Sequence, residues 1–438
     1  AGTSDAGGKF FDPSTALAIA NAKILCYSFR SVLYMGCNGA HSSGVGGPAG
    51  MNIIQADWLK KPGVEKITRL LSDAGFEIYF VGGCVRNSLL NRPVDDIDLA
   101  SNARPEQIQT LARAAKLKTI PTGIEHGTLT VISEGTPYEI TTFRQDIETD
   151  GRRATIQYAD SLKSDAKRRD FTMNALYADA SGKIYDPLNG LADLKAGRLR
   201  FIENADRRIT EDYLRILRFF RFSAWYANPD LGFDPDALAA IAAKGEGLLG
   251  LSKERITKEL LKLLAAPSPA PAVAAMRITG VLQHVLPGSD DRALAPLVYF
   301  ESLYEAPIDP LRRLAVLGGG QVEAHLRLSK AQSKTLALLK THIEAMTEAG
   351  ELAYRCSAPI ALDVLLLRAA LFETPVSEPD LAAVQTGASA KFPITADDLM
   401  PLYTGSALGK KLRALEHIWI TSGFRLDKAA LLRALDPK

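Results

Sequence analysis

The 438 residues carry 52 Lys and Arg against 50 Asp and Glu, with 47% hydrophobic and 23% charged side chains. This is the profile of a globular chain with ample core material, long enough for about two to four domains, and it excludes collagenous, disordered and coiled-coil classes. A net charge of +2 names no partner, so any basic surface must arise from local clustering. No run of about 18 apolar residues exists, which argues against a spanning helix. Cys26, Cys37, Cys84 and Cys356 form no CxxC pair, which argues against a disulfide framework or a zinc site and for a reducing, cytoplasmic setting.

Residues 1–50 hold 9 of the 34 glycines but only three Lys/Arg and two Asp/Glu, and end in HSSGVGGPAG. Lys23 and Arg30 interrupt their apolar stretch, while Asp5 and Asp12 suit neither a transit nor a secretory peptide. They read as an unstructured or spurious extension upstream of Met51. Residues 62–75 then predict a helix closed by Gly75. Short β-rich runs follow at 77–82, 96–100, 127–133 and 138–143. From about residue 205 helical spacing takes over, as in RITKELLKLLAA, with proline breaks at 266–271 and 287. The expected class is α+β: a head with a small mixed or antiparallel sheet, then an elongated all-helical neck, body and tail. The expected divisions are 1–50 (extension), 51–200 (head), 201–265 (neck) and 266–438 (body and tail).

The most informative segment is Val94-Asp95-Asp96-Ile97-Asp98-Leu99. On a strand, residues two apart share a face, so Asp96 and Asp98 would point together while Ile97 and Leu99 enter the core. Paired carboxylates repel unless a cation lies between them, and an all-oxygen site suits Mg²⁺. Two such ions about 3.5–4 Å apart can activate a hydroxyl and stabilise a leaving pyrophosphate. Glu139, on a later predicted strand, offers a third acid. An Asp-rich solvated turn explains the bare pattern as well. Upstream, Gly82 and Gly83 join a strand to a helix, a place where backbone approaches a ligand closely and free N–H groups favour phosphate. Arg86, one turn on, suits phosphate oxygens. An ordinary tight turn with an exposed arginine fits equally.

Arg168-Arg169-Asp170-Phe171 opens a further apolar run. Residues 195–222 carry eight Lys/Arg against four acids. Within them, residues 211–221 predict one amphipathic helix with Asp212, Arg215 and Arg218 on a shared face and Arg208 and Glu211 at its border. Such a stripe is either a row of solvated ion pairs or a base reader, in which Asp accepts from an exocyclic amine and Arg donates to a carbonyl or ring nitrogen.

The ordered set GGCVRN, DDIDLAS, GIEHGTLTV, YEITTFR, RRDFTMNAL, YDPLNGLADL and RITEDYLRILRFFRF resembles the class II tRNA nucleotidyltransferases, the CCA-adding enzymes that share a superfamily with bacterial poly(A) polymerases. The resemblance is dense over about residues 62–265 and looser beyond. It implies a nucleotidyltransferase head that adds C, C and A to tRNA 3′ ends from CTP and ATP. Asp96 and Asp98 match the family's metal-binding pair, expected to hold Mg²⁺, with Glu139 as third acid. Gly82, Gly83 and Arg86 match its phosphate loop, and Arg169 and Asp170 its triphosphate and ribose motif. Asp212 and Arg215 match its base-selecting pair, followed by Arg218 and Arg221 as nucleotide contacts. Asp186, Gly190 and Asp193 fall in its hinge-like motif, and Gln145–Ser164, with Asp150, Gly151, Arg152 and Arg153, resembles its flexible loop. The implied partner is tRNA, gripped at the 3′ end and acceptor/T arm; seven Lys/Arg against three acids in residues 401–438 suit a phosphate backbone. No membrane and no protein partner is implied. Asp95 stands where the family often has a basic residue, and no His is followed by Asp, so no HD phosphohydrolase pattern appears. A poly(A) polymerase and a catalytically silent RNA-binding protein are the alternatives.

Overall fold

The computed structural model describes residues 53–149, 154–400 and 402–434. They fall into two compact units, one ending at Pro287 and one beginning at Gly288.

The first unit opens with helix α1 (Pro62–Asp73). Pro62 sits in the first turn, where a missing N–H costs nothing, and the chain leaves through Gly75 at φ 82°. There follow β1 (Ile78–Val81), α2 (Gly83–Leu89), β2 (Asp98–Ser101), α3 (Pro105–Ala114), β3 (Lys118–Gly123), β4 (Thr128–Ser133) and β5 (Thr136–Thr142). Next come β6 (Arg144–Thr149), β7 (Ala154–Tyr158), α4 (Leu162–Lys167), β8 (Tyr177–Ala178), β9 (Ile184–Tyr185) and α5 (Gly190–Ala196). The sheet order is β3-β4-β5-β2-β1-β8-β9, and β6-β7 form a separate ribbon. Only the β2–β5 pair is parallel; the remaining pairs are antiparallel, so the sheet is mixed.

Each of the four expected strand segments contains a strand, but the second begins two residues late. Asp96 and Ile97 lie in the coil ahead of Asp98, so the two aspartates do not share a strand. β3 escapes sequence reading because Pro121 interrupts its pattern, which an edge position tolerates. β8 and β9 have two residues each, too few for an alternation to show.

The β2–β5 register sets up everything downstream. Leu99 pairs with Ile140, which pairs with Leu129 on β4, and all three are buried. One residue earlier Asp98 pairs with Glu139, so these two acids share the opposite, open face.

Six helices follow: α6 (Ala205–Glu211), α7 (Leu214–Tyr226), α8 (Pro235–Lys244), α9 (Lys253–Leu264), α10 (Ala270–Ile278) and α11 (Val281–Val285). α7 packs on α9 and α10 and buries Ile216, Leu217, Phe219 and Phe220. Phe171 and Phe201 meet Phe219 in an aromatic stack, the last two rings 5.5 Å apart and nearly parallel. The single helix expected over 211–221 is instead broken at Asp212, whose backbone is extended. The Asp212 carboxylate accepts from the Leu214 N–H at 3.1 Å, a local bond that competes with the helical ladder. Tyr213 packs on Gly247, where a Cβ would meet its ring at 2.2 Å.

Asp186 accepts from the Gly190 and Leu191 N–H groups, and Asp193 accepts from Thr172 and Arg200. α5 thus presses against the segment after Asp170, and a Cβ on Gly190 would stand 2.1 Å from the Thr172 carbonyl oxygen.

The second unit is helical: α12 (Leu294–Leu303), α13 (Pro310–Leu317), α14 (Val322–His325), α15 (Lys330–Glu344), α16 (Ala349–Arg355), α17 (Ala358–Phe372), α18 (Glu378–Ser389), α19 (Gly405–Thr421) and α20 (Lys428–Arg433). Two buried arginines anchor it. Arg312 donates to Glu301 at 2.9 Å and to Asp363 at 2.5 Å, and Arg313 donates to Glu301 at 2.8 Å. Burial pushes the Asp363 carboxyl up to about 6 against the pull of Arg312. Among the described residues no helix is long and apolar enough to cross a membrane.

Because the Thr172 backbone cannot retreat, Gly190→Ala should lower stability by about 1–3 kcal/mol. Chemical denaturation of the two proteins measures this; an unchanged midpoint would show that α5 shifts freely.

Candidate active site

A cleft of about 500 Å³ opens in the first unit where the β1–α2 turn, the entry to β2 and the Arg169–Asn174 segment face α7 and α9. Gly82 and Gly83 floor it, with Gly82 at φ 73°, the left-handed side that glycine alone adopts without strain. A larger cavity of about 820 Å³, between residues 53–69 and Phe80, shares no residue with this cleft and none of the acids that follow.

Asp96 and Asp98 line the cleft, and Glu139 stands beside Asp98 in register. None of the three carboxylates accepts a hydrogen bond or forms an ion pair among the described residues. Asp98 is exposed on the open face of β2, yet partial desolvation within the cleft pushes its carboxyl above the usual carboxylate range; Glu139 adds to the rise, Arg169 opposes it, and Asp96 adds again. Acids left facing one another without a counter-ion fit a divalent cation. Among the described residues no three or more His, Cys, Asp or Glu side chains are placed to hold an ion by themselves, so these acids would need donors from a substrate. That matches a small hard cation held by one or two carboxylates plus substrate phosphates.

The opposite wall is positive. Arg218, Arg221, Arg255, Lys258 and Lys262 all line the cleft. Burial, then the like charges of Arg221 and Lys258, lower the Lys262 ammonium; burial also lowers Arg221 despite its ion pair to Glu259 at 3.0 Å. A cleft with acids on one side and crowded cations on the other accepts a polyanion together with its metal.

Arg86 is buried. Its guanidinium donates to Asn174 at 2.5 Å, to Asn87 at 2.9 Å and to the Tyr226 hydroxyl at 2.9 Å, and it stacks 4.1 Å over the Tyr226 ring. Arg86 therefore braces the glycine turn against α7. Arg169 donates to Asp165 at 3.0 Å and to Tyr177 at 3.0 Å, which leaves its Nη1 free beside Gly82 at the cleft floor. Burial alone would raise the Asp165 carboxyl, but Arg168 and Arg169 hold it below the usual range. Asp170 accepts from Arg218 at 2.6 Å and from Asn174 at 3.0 Å; burial works against its charge, yet Arg218 outweighs it and sets the carboxyl at about 2.

Asp212 and Arg215 do not line the cleft described here. Asp212 takes Arg255 at 2.7 Å. Arg215 donates to Glu211 at 2.7 Å and to the carbonyls of Arg208 and Arg168. Arg218 sits one turn further along α7 and faces the cleft, with Asp212 among the charges that favour it.

Sequence reading missed Arg255, Asn174, Asp165, Tyr177 and Tyr226 as parts of this network. Asn174 and Tyr177 follow closely on Arg169-Asp170, so that signal was partly present. Arg255 lies 43 residues from its partner and gives none. The tip Asp150, Gly151, Arg152 and Arg153 lies outside the described residues; its flanks form β6 and β7, joined by a Gln145–Gln157 side-chain bond of 2.7 Å.

The unfolded chain holds the Asp98 proton less tightly than the folded chain, so stability falls as pH rises through the window above the ordinary carboxylate range. Asp98→Asn, in chelator, should therefore raise stability at neutral pH, by an amount that solvent screening on the open face of the sheet keeps small. Paired denaturation curves test this; a loss of stability would mean that the carboxylate is already compensated.

Residues 78–200 match the poly(A) polymerase head domain family, and residues 230–292 match the family described as a probable RNA and SrmB-binding site of polymerase A. The mitochondrial CCA tRNA nucleotidyltransferase 1 of Danio rerio is 30% identical over 399 residues, 85% of this chain and 90% of that protein. The CCA-adding enzyme of Streptococcus pyogenes serotype M1 is 44% identical over 210 residues, 47% of this chain and 50% of that enzyme. Among solved structures, the Bacillus stearothermophilus CCA-adding enzyme in complex with CTP aligns with a TM-score of 0.62 at 27% identity, over 83% of this chain and 94% of that one. The Thermotoga maritima CCA-adding enzyme complexed with tRNA, at 18% identity and a TM-score of 0.63, shares the fold over 87% of this chain and 98% of its own. The chain belongs to the CCA-adding enzymes, tRNA nucleotidyltransferases whose head domain is of the poly(A) polymerase family.

Proposed function

We propose that this protein adds C, C and A to the 3′ end of tRNA without a nucleic-acid template, taking CTP and ATP and releasing pyrophosphate. Its relatives carry that activity in their names, and one of them was solved with CTP. The observation that carries the reading is Asp96 and Asp98, uncompensated in a cleft that cations also line, with Glu139 in register with Asp98 just outside its lining.

Asp96 and Asp98 would hold the divalent metal that goes with this enzyme class, with Glu139 alongside. We take the ion to be Mg²⁺, which when bound neutralises triphosphate and makes the terminal ribose hydroxyl more acidic. The chain's own residues do the rest. The free Nη1 of Arg169 and the turn at Gly82 and Gly83 receive phosphate oxygens, Arg86 and Asn174 keep that turn in place, and Arg218 and Arg221 face the nucleotide. The 3′-oxygen attacks the α-phosphorus in line as its bond to the pyrophosphate oxygen breaks, and the hydroxyl proton passes to solvent or a carboxylate. Base choice is assigned to Asp212 and Arg215, which exchange Arg255 and Glu211 for base edges; a wrong base leaves a buried donor or acceptor unpaired, at about 1–3 kcal/mol each. In this reading residues 51–200 are the catalytic head, 201–265 the neck and 266–438 the tRNA-binding body and tail. The protein acts in the cytoplasm.

Purified protein with labelled CTP or ATP and tRNA trimmed of its 3′ end should give addition of three nucleotides; long adenosine tails or no incorporation would each overturn the reading. Asp98→Asn should cut incorporation by roughly 10³-fold with tRNA affinity largely kept; activity within a few-fold of the parent would remove the metal assignment. Asp212→Ala should change the ratio of CTP and ATP to UTP and GTP use more than it slows addition, and an unaltered ratio in competition assays would place base reading elsewhere.

A further inference from the structure

A third cavity, of about 210 Å³, shares no residue with the cleft. Four cations line it: Lys167, Arg168, Arg207 and Arg208. Its one acid is Glu203, which pairs with Lys167 at 2.9 Å, and Gln145 at the base of the β6–β7 ribbon completes the rim. Asp165 and Glu211 stand behind the cations and accept from Arg168 and Arg208. Arg208 is only 4% exposed, and its Nε makes no hydrogen bond. Burial lowers the Arg208 pKa, Glu211 supports its charge, and Arg215 and Arg207 repel it. Three carboxylates, Glu203, Asp165 and Glu211, are shared among these four cations together with Arg169 and Arg215, and a buried guanidinium N–H is unpaired, so the site is short of negative charge.

We propose that this cavity is an anion site for a phosphate group, seated between Lys167 and Arg207 against Arg208. No bond is made or broken there; the phosphate replaces water and Glu203 as the partner of these cations. Such a ligand also reaches the base-selecting end of α7. Glu211 is shared among Arg207 at 3.3 Å, Arg208 at 2.5 Å and Arg215 at 2.7 Å, so an anion that draws Arg207 and Arg208 away tightens Glu211 on Arg215. The phosphate belongs either to the RNA backbone or to free phosphate and pyrophosphate in solution. The RNA alternative rests on the function proposed above; the free-ion alternative does not.

The test uses the full chain and the double variant Lys167→Gln/Arg207→Gln, whose side chains are 50% and 65% exposed and so removable without unfolding. An Arg113→Gln/Lys118→Gln variant, also at exposed positions, controls for net charge. The first arm measures the thermal shift given by inorganic phosphate over chloride at constant ionic strength. The parent and control should respond alike, and the double variant should need at least tenfold more phosphate for the same shift. An equal response from all three overturns the site. The second arm measures the salt dependence of binding to trimmed tRNA. A slope lower by about 0.7–0.9 in the double variant alone assigns the phosphate to the RNA backbone. An unchanged slope with a lost phosphate response assigns the site to the free ion. Incorporation of labelled CTP by the same preparations reads the catalytic proposal separately.

Discussion

The constraint on which the structure turns is like-charge repulsion held in place by strand pairing. Parallel pairing of β2 with β5 puts Leu99 against Ile140 in the core and thereby fixes Asp98 beside Glu139 one residue away. The burial of the apolar pair enforces the closeness of the acidic pair, because a one-residue slip would send both sets to the wrong face. The chain thus spends folding stability to keep carboxylates together without a counter-ion, a familiar cost of sites built to receive a cation.

Around those acids the arginines divide into two kinds. Arg86 is satisfied by neighbouring protein oxygens and acts as a brace, whereas Arg169 is held on one edge and free on the other. Rigid placement of a cation by a buried acid behind it is what lets a guanidinium meet an anion without losing side-chain entropy on binding. Asp165 behind Arg169 and Asp170 behind Arg218 apply the same device at two places on the cleft wall.

The break between α6 and α7 is the other organising feature. Had residues 211–221 formed one helix, Asp212 would point along the row of Arg215 and Arg218. Its capping bond to Leu214 instead turns the chain and presents its second carboxylate oxygen to Arg255 on α9. Glu211, left as the last helical residue, gathers Arg207, Arg208 and Arg215. Two adjacent acids therefore serve two separate arginine groups, an outcome of one non-helical residue.

Periodicity and turn chemistry by themselves determined the α+β head, the helical remainder, the glycine turn and the candidates Asp98, Glu139 and Arg218, while Arg169 and Asp170 became candidates through the family resemblance of their motif. These features are local: alternation, turn chemistry and residue order leave a trace within a few positions. Tertiary structure alone decided that Asp96 sits off the strand, that Asp212 leaves the helix, that Arg86 is a brace, and that Arg255 and Tyr226 belong to the site. The contacts of Arg86 and Asp212 depend on partners distant along the chain, Tyr226 and Arg255. A side chain's partner is set by packing geometry, and an arginine that grips a buried acid reads in sequence the same as one that waits for a ligand.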